Sequence, residues 1–318
     1  MRDSVKRLLP KPALRHLRAA IARHNHMKIR RKAVHHACLF LEPENVTEHY
    51  YHFLFDLCLP LWRLTEVVPL GTRFTLRSFG ILTDRLEAMF PGSVCIEDDP
   101  DRIEQLPRMP LSGMNPRFVE LDCYEVMRFR RHVLSTLGAN ETSERMNVLL
   151  IERAPPDPYF LLEAQKRGAG ASRRSIPNHS ELAAAVESLV QPPYQFRNVR
   201  LEECTLREQV ELFANAAVVI GQHGAGLANS LWMRPGSEIV ELSNCPELTH
   251  FPEIARVMRH RHSVYRTDGP HAEVDVGHFL DYLKEASPSR GFQGEIWRGH
   301  PALSPSSGPG QRPHGIAG

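Results

Sequence analysis

Several features are missing from this 318-residue chain, and each absence removes a class of protein. No stretch approaches the roughly 18 consecutive apolar residues of a membrane span, and no secretory leader is evident at its start, so a cytoplasmic location is expected. Its six cysteines (Cys38, Cys58, Cys95, Cys123, Cys204, Cys245) are scattered without a Cys-x-x-Cys pair. That argues against a structural zinc site and for reduced thiols, several of them in apolar contexts. No Gly-x-Gly-x-x-Gly follows an early strand with an acid about twenty residues on, the mark of a dinucleotide site. Aromatic residues are 8% of the chain, and none interleave with its basic N-terminal segment, so no nucleic-acid partner is expected.

What is present is first a charge asymmetry. Residues 1–36 carry eleven Lys or Arg against one acid, Asp3, while the remainder holds 28 basic against 36 acidic residues. Residues 1–34 therefore form a basic arm on a mildly acidic body. Leu14, Leu17 and Ile21 would lie on one side of a short helix with Arg15, Arg18 and Arg23 around it. This pattern fits a peripheral contact with an anionic membrane surface, and equally a solvated leader that packs on its own domain.

Beyond the arm, Ala37 to Leu41 reads as a strand, and Thr47 is placed to cap a helix from Glu48 to about Val67. Phe74 to Phe79 and Val94 to Ile96 are further strands with a helix, Thr83 to Phe90, between them. Leu121 to Leu137 is a long helix ended by Gly138. The polar stretch Gly138 to Arg145 reads as a linker, which divides residues 35–140 from residues 146–286. In the second half, strands at Asn147 to Ile151, Phe196 to Leu201, Val218 to Ile220, Glu238 to Leu242 and Ser263 to Arg266 alternate with helices. Those helices are Ser180 to Leu189, capped by Ser180, then Leu206 to Ala216, Leu227 to Met233, Glu247 to Arg259 and Val274 to Ala286. Strict alternation implies an α/β fold with a parallel sheet covered on both faces and ligands at its C-terminal strand ends. Residues 287–318, rich in Pro, Gly and Ser, are expected to be disordered.

Four clusters could carry chemistry. The most informative is the turn after Val218 to Ile220, where Gly221 leads into His223, Gly224, Ala225, Gly226, Leu227 and Asn229. Glycines there let backbone N–H groups approach a phosphate at a helix start, and the histidine is the unusual component. In the early helix, His49, His52 and Asp56 share a face, where a histidine and a carboxylate one turn apart can fix a tautomer or shuttle a proton; a surface ion pair explains them equally well. Arg153, directly after a strand, is joined by Arg173, Arg174 and Asn178 on the next loop, and arginines so placed can clamp a diphosphate. Glu241 is an acid within a strand pattern. Buried there it needs a partner, such as a ribose hydroxyl; exposed on an edge it needs none. No metal-ligand set stands out.

The helix Glu48 to Leu64, Arg153 with Arg173-Arg174-x-x-x-Asn178, Leu206-Arg207-Glu208-Gln209, and His223-Gly224-Ala225-Gly226-Leu227-x-Asn229 through Pro235-Gly236 to Glu241-Leu242 together resemble glycosyltransferase family 61. The resemblance covers roughly residues 35 to 285, and His179 stands where an acidic residue commonly follows the asparagine. It implies a GT-B-like architecture, two Rossmann-like domains across a cleft, with the nucleotide-sugar held mainly by the second. It also implies an inverting, metal-independent transfer with no cofactor beyond a donor expected to be UDP-linked. On that reading Arg153, the amides around Gly224 and Gly226, and His223 stabilise the departing diphosphate, with Arg173 or Arg174 assisting. Asp56 is the candidate base, with His52 as its partner or as the base itself, while Asn229 and Glu241 contact the nucleoside or shape the loop. The acceptor would be a glycan or a lipid-linked glycan at the inner membrane face, as in capsule or other polysaccharide synthesis. A non-catalytic scaffold subunit and a dinucleotide-dependent oxidoreductase are the alternatives.

Overall fold

The computed structural model describes residues 38–42, 49–78, 80–111, 123–158 and 170–286. The basic arm, the Thr47 cap and the Pro/Gly/Ser tail lie outside the described residues.

Two parallel sheets organise the chain. The first contains β1 (Cys38–Glu42), β2 (Arg73–Leu76), β3 (Val94–Ile96) and β4 (Arg108–Pro110), in the order β3-β2-β1-β4. The second contains β5 (Asn147–Glu152), β6 (Gln195–Arg200), β7 (Ala216–Gln222), β8 (Glu238–Ser243) and β9 (Arg261–Arg266), in the order β6-β5-β7-β8-β9. Every pairing in both sheets is parallel. β7 and β8 are buried at every position; β7 reads accordingly as a short apolar run, whereas β8 buries Glu238 and Glu241 among its apolar residues. β4 was not expected from its sequence, since Arg-Met-Pro carries no strand pattern and is held by pairing to β1.

Side-chain alternation divides the second sheet's core. Val148, Leu150, Val218, Ile220, Val240 and Leu242 pack with Leu182 and Val186 of the helix His179–Leu189 and with Phe279 of the helix Val276–Ala286. Leu149, Ile151, Val219 and Ile239 instead join a single apolar core with Leu39, Leu41 and Phe74 of the first sheet. The two sheets are thus welded through one shared core. The polar stretch read as a linker is also anchored. Asn140 and Thr142 bond to Glu211 and Asn215, and Glu141 pairs with Arg234 and the buried Arg130. All six cysteines are free; Cys58 is buried and Cys123 packs part-buried against the core, while the others lie outside it.

Both sheets reverse strand order at a central strand, and ligands of such sheets bind at that point, beyond the carboxyl ends. In the second sheet the reversal lies between β5 and β7, whose ends carry Arg153 and His223. In the first sheet it lies beside β1, and the chain returns after β1 as helix α1. This helix runs from Tyr50–His52 through a π-helical segment, Phe53–Cys58, into Leu59–Thr65. The π segment was not anticipated. Pro60 gives a cause, because it lacks an N–H and its ring crowds the carbonyl one turn back, so the preceding turn opens.

Two other differences are local. Ser180 does not cap its helix, which begins at His179 with Asn178 in the cap position. The segment after the glycine loop is 3-10 rather than α-helical, Ala225–Trp232. Asn229 Nδ2 donates to Gly226 O at 3.2 Å within it, the kind of side-chain bond that competes with an α-helical ladder.

Candidate active site

Arg153 leaves the end of β5 and crosses beneath the loop that follows β7. Its Nη1 donates to Gly170 O and its Nη2 to His223 O, both at 3.0 Å. A Cβ on Gly224 would lie 1.5 Å from Arg153 Nη2, so a side chain there would displace the guanidinium from its place under the loop. Burial, and then the neighbouring Arg174 and Arg173, push the Arg153 guanidinium down to about 10, which leaves it cationic near neutrality. Burial and Arg173 likewise lower Arg174, against the opposing influence of Cys245 and Glu241. Among the described residues, no carboxylate pairs with Arg153, Arg173 or Arg174. Glu202 and Glu241 attract Arg153 and Arg174 without pairing with them, and three mutually repelling guanidinium groups so arranged can hold an anion. The backbone N–H groups of Gly224, Ala225 and Gly226 have no backbone acceptor among the described residues and add to it.

Beside these arginines, His223 Nδ1–H donates to Glu241 Oε1 at 2.5 Å, and His262 Nε2–H donates to Glu241 Oε2 at 2.8 Å. Glu241 is 1% exposed and His223 is 7% exposed. Burial raises the Glu241 carboxyl, but the hydrogen bonds from His223 and His262 together outweigh it and hold the group below its ordinary value. The expectation of a buried Glu241 in need of a partner is met by two imidazoles rather than by a ribose. His262 was missed because the strand Ser263 to Arg266 was read as beginning one residue after it, whereas β9 begins at Arg261.

Across from this wall, His52 Nδ1–H donates to Asp56 Oδ2 at 2.7 Å, with side chains 39% and 16% exposed. The bond fixes the tautomer and leaves Nε2 as the basic nitrogen of His52. Asp56 lies in the π-helical turn, a feature frequent at functional sites. His49 precedes the helix as its cap residue. Between the two walls stands His250, the first residue of the helix His250–Met258 and solvent-exposed. Its ring centroid is 6.3 Å from His223 and 5.0 Å from Tyr51, and Tyr51 is 5.3 Å from His52. His250 offered no sequence signal beyond its place near the start of a predicted helix.

Two expected ligand contacts prove to be structural. Asn229 is 1% exposed. Its Oδ1 accepts from Tyr50 Oη (2.7 Å) and Trp232 Nε1 (3.0 Å), and its Nδ2 donates to Gly226 O and Gln209 Oε1. It shapes the loop and ties it to α1, so the nucleoside-contact alternative fails. Asn178 uses both ends of its amide on the backbone of Val274, with Nδ2 donating to the carbonyl at 2.8 Å and Oδ1 accepting from the N–H at 3.0 Å. Leu227 is buried core, and with Ile151 it packs tightly on Gly221, where a Cβ would lie 3.1 Å from each side chain. His179, in the position where an acid was expected, is buried and paired with Asn198 Oδ1 at 2.9 Å.

The glycosyltransferase 61 family model matches residues 50–240 of the chain, which include both walls up to Val240. The EGF domain-specific O-linked N-acetylglucosamine transferase of Xenopus laevis is 25% identical over 257 residues, 77% of this chain and 45% of that protein. The protein of the same name from Drosophila melanogaster is 29% identical over 105 residues, 33% of this chain and 20% of that protein. The protein O-linked-mannose beta-1,4-N-acetylglucosaminyltransferase 2 of Tetraodon nigroviridis is 32% identical over 101 residues, 31% of this chain and 16% of that protein. The chain thus spans less than half the length of these curated relatives. Among the described residues no helix is long and apolar enough to cross a membrane.

Proposed function

Because the chain belongs to glycosyltransferase family 61, we propose that it transfers a sugar from a nucleotide-sugar to a hydroxyl group of a glycan or glycolipid acceptor, with inversion at the anomeric carbon. The observation that carries this reading is the cluster of Arg153, Arg173 and Arg174 beside His223, with the His52–Asp56 pair brought near it through Tyr51 and His250. The two sheets would serve as the halves of a GT-B-like cleft, with the donor's diphosphate at the reversal between β5 and β7.

In the reaction, the acceptor oxygen attacks the anomeric carbon in line while the bond to the diphosphate breaks. His52 Nε2 takes the hydroxyl proton, and Asp56 orients the ring and stabilises the imidazolium that forms. Charge developing on the leaving diphosphate falls on Arg153, Arg174 and the loop amides, whose fixed positions need no reorganisation at the moment of transfer. Glu241 holds the His223 ring in place through Nδ1, beside the same anion. Metal independence is part of the proposal, as is a UDP-linked donor. The relatives' names involve N-acetylglucosamine, which makes UDP-N-acetylglucosamine the first donor to try. A role in polysaccharide synthesis at a membrane surface, with the basic arm as the contact, completes the reading.

The test is calorimetry and transfer assays with UDP-, GDP- and CMP-linked sugars, with and without a metal chelator, and with NAD as control. Binding and turnover of at least one nucleotide-sugar, unchanged by chelator, is the expected result. Binding of NAD alone would overturn the reading. Donor binding without transfer to any hydroxyl acceptor would make the chain a binding subunit.

A further inference from the structure

The His52–Asp56 pair and His223 are linked by a series of aromatic side chains. Tyr51 lies 5.3 Å from His52 on one side and 5.0 Å from His250 on the other, and His250 lies 6.3 Å from His223. Phe251, which follows His250, is 5.1 Å from the His223 ring and is buried, so it forms the floor. The group that would remove the acceptor proton and the group that would hold the diphosphate are therefore separated by a single exposed imidazole. In a transfer between those groups, that interval holds the migrating sugar.

We propose that His250 contacts the transferred sugar itself, hydrogen-bonding a ring substituent, and thereby sets which donor sugar is used. This rests on the glycosyl-transfer reading above. Three observations favour it. His250 is the exposed member of the aromatic set, whereas Tyr51 and Phe251 are buried. No hydrogen bond among the described residues occupies its ring nitrogens, whereas His52, His223 and His262 are each committed to a carboxylate. Its position is fixed from both sides, by the edge-on Tyr51 ring at 88° and by the first turn of its own helix. Burial, followed by His223 and His52, lowers its pKa, which favours a neutral ring that both donates to and accepts from sugar hydroxyl or amide groups. A site built to bond a polar substituent rejects donors that lack it, because its own polar group is then left unpaired.

The experiment compares wild type, His250→Ala and His250→Asn with UDP, UDP-N-acetylglucosamine, UDP-glucose and UDP-xylose. The expected result is UDP affinity within about twofold of wild type in both variants. In His250→Ala, kcat/KM for the preferred donor falls by about tenfold or more, and the ratio between the preferred donor and the others shrinks at least as much. His250→Asn, which keeps a donor and an acceptor, recovers part of that ratio. An unchanged donor ratio in His250→Ala would overturn the proposal. So would a fall in UDP affinity matching the fall in donor affinity, which would place His250 on the nucleotide. If the wild-type protein binds no nucleotide-sugar, the glycosyl-transfer reading fails and the proposal falls with it, an outcome read before any variant is made.

Discussion

Two pairs of histidine and carboxylate face each other in this protein, and they differ mainly in burial. His52 and Asp56 sit on the accessible side of a helix, with side chains 39% and 16% exposed. His223 and Glu241 lie at the base of the opposite wall, and Glu241 is shared with a second imidazole, His262. A proton acceptor must meet its substrate, and a half-exposed ring with its second nitrogen available is suited to that. A buried carboxylate between two imidazoles is suited instead to holding charge and geometry constant. The same two functional groups are thus assigned to chemistry on one wall and to a fixed electrostatic frame on the other.

The largest expected effect tests the first half of that division. Asp56→Asn and His52→Ala should each lower turnover by about 10²–10⁴-fold, the range of a lost general base, while UDP affinity stays near wild type. Stability should change little, since a partly exposed ion pair contributes about 0–1 kcal/mol. Steady-state rates, UDP calorimetry and urea unfolding together check this. Near-normal turnover in both variants would move the base elsewhere.

Glu241→Ala should show the opposite profile. Removing the acceptor of two part-buried or buried imidazoles should cost about 3–5 kcal/mol of folding stability, seen as a lower urea midpoint at unchanged slope. A stability loss below about 1 kcal/mol would mean that the triad is not part of the frame, and the contrast between the walls would collapse.

Much of this was legible in the sequence, and the reasons differ by element. The strands of the second sheet could be read because β7 is apolar up to Gly221 and β8 carries Ile239, Val240 and Leu242 in a strand pattern, and the glycine loop because Gly224 passes close to a guanidinium. The His52–Asp56 pair followed from helical spacing alone. His250 and His262 were not legible, because their importance comes from what the fold sets beside them: Tyr51, which is distant in sequence, and Glu241 on the neighbouring strand. Asn229 was legible as special but not for its reason. A buried amide with four hydrogen bonds and a ligand-binding amide look alike until their partners are known. The weld between the sheets was equally hidden, since a polar segment such as Gly138 to Arg145 reads as a linker whether or not its side chains are anchored.

A smaller effect separates the two pairs by pH. The Glu241 carboxyl is held below its ordinary value in the folded protein, so its contribution is complete above the unfolded glutamate value, near 4.5. It is lost as pH falls through the depressed folded value. Wild type should therefore lose stability below about pH 4.5 more steeply than Glu241→Gln, in which no carboxyl remains to titrate. Parallel urea midpoints for the two proteins from pH 6 to about pH 3 would show that Glu241 has no such role.

The smallest effect concerns what holds the walls at their separation. Tyr50 Oη donates to Asn229 Oδ1 at 2.7 Å, joining the first turn of α1 to the 3-10 segment after the glycine loop. Burial raises the Tyr50 hydroxyl to about 12, so it stays protonated and a donor throughout the working range. In Tyr50→Phe the ring remains and one hydrogen bond is lost, while Asn229 Oδ1 keeps the N–H of Trp232. The cost should be about 0.5–1.5 kcal/mol, with little change in turnover, because the shared apolar core still sets the spacing of the sheets. If Tyr50→Phe instead lowered turnover by about tenfold at that modest stability cost, the separation of the two pairs would depend on this one bond. The core would then be a passive filler, and the tuning of the cleft would lie in the polar network of Tyr50, Asn229 and Gln209.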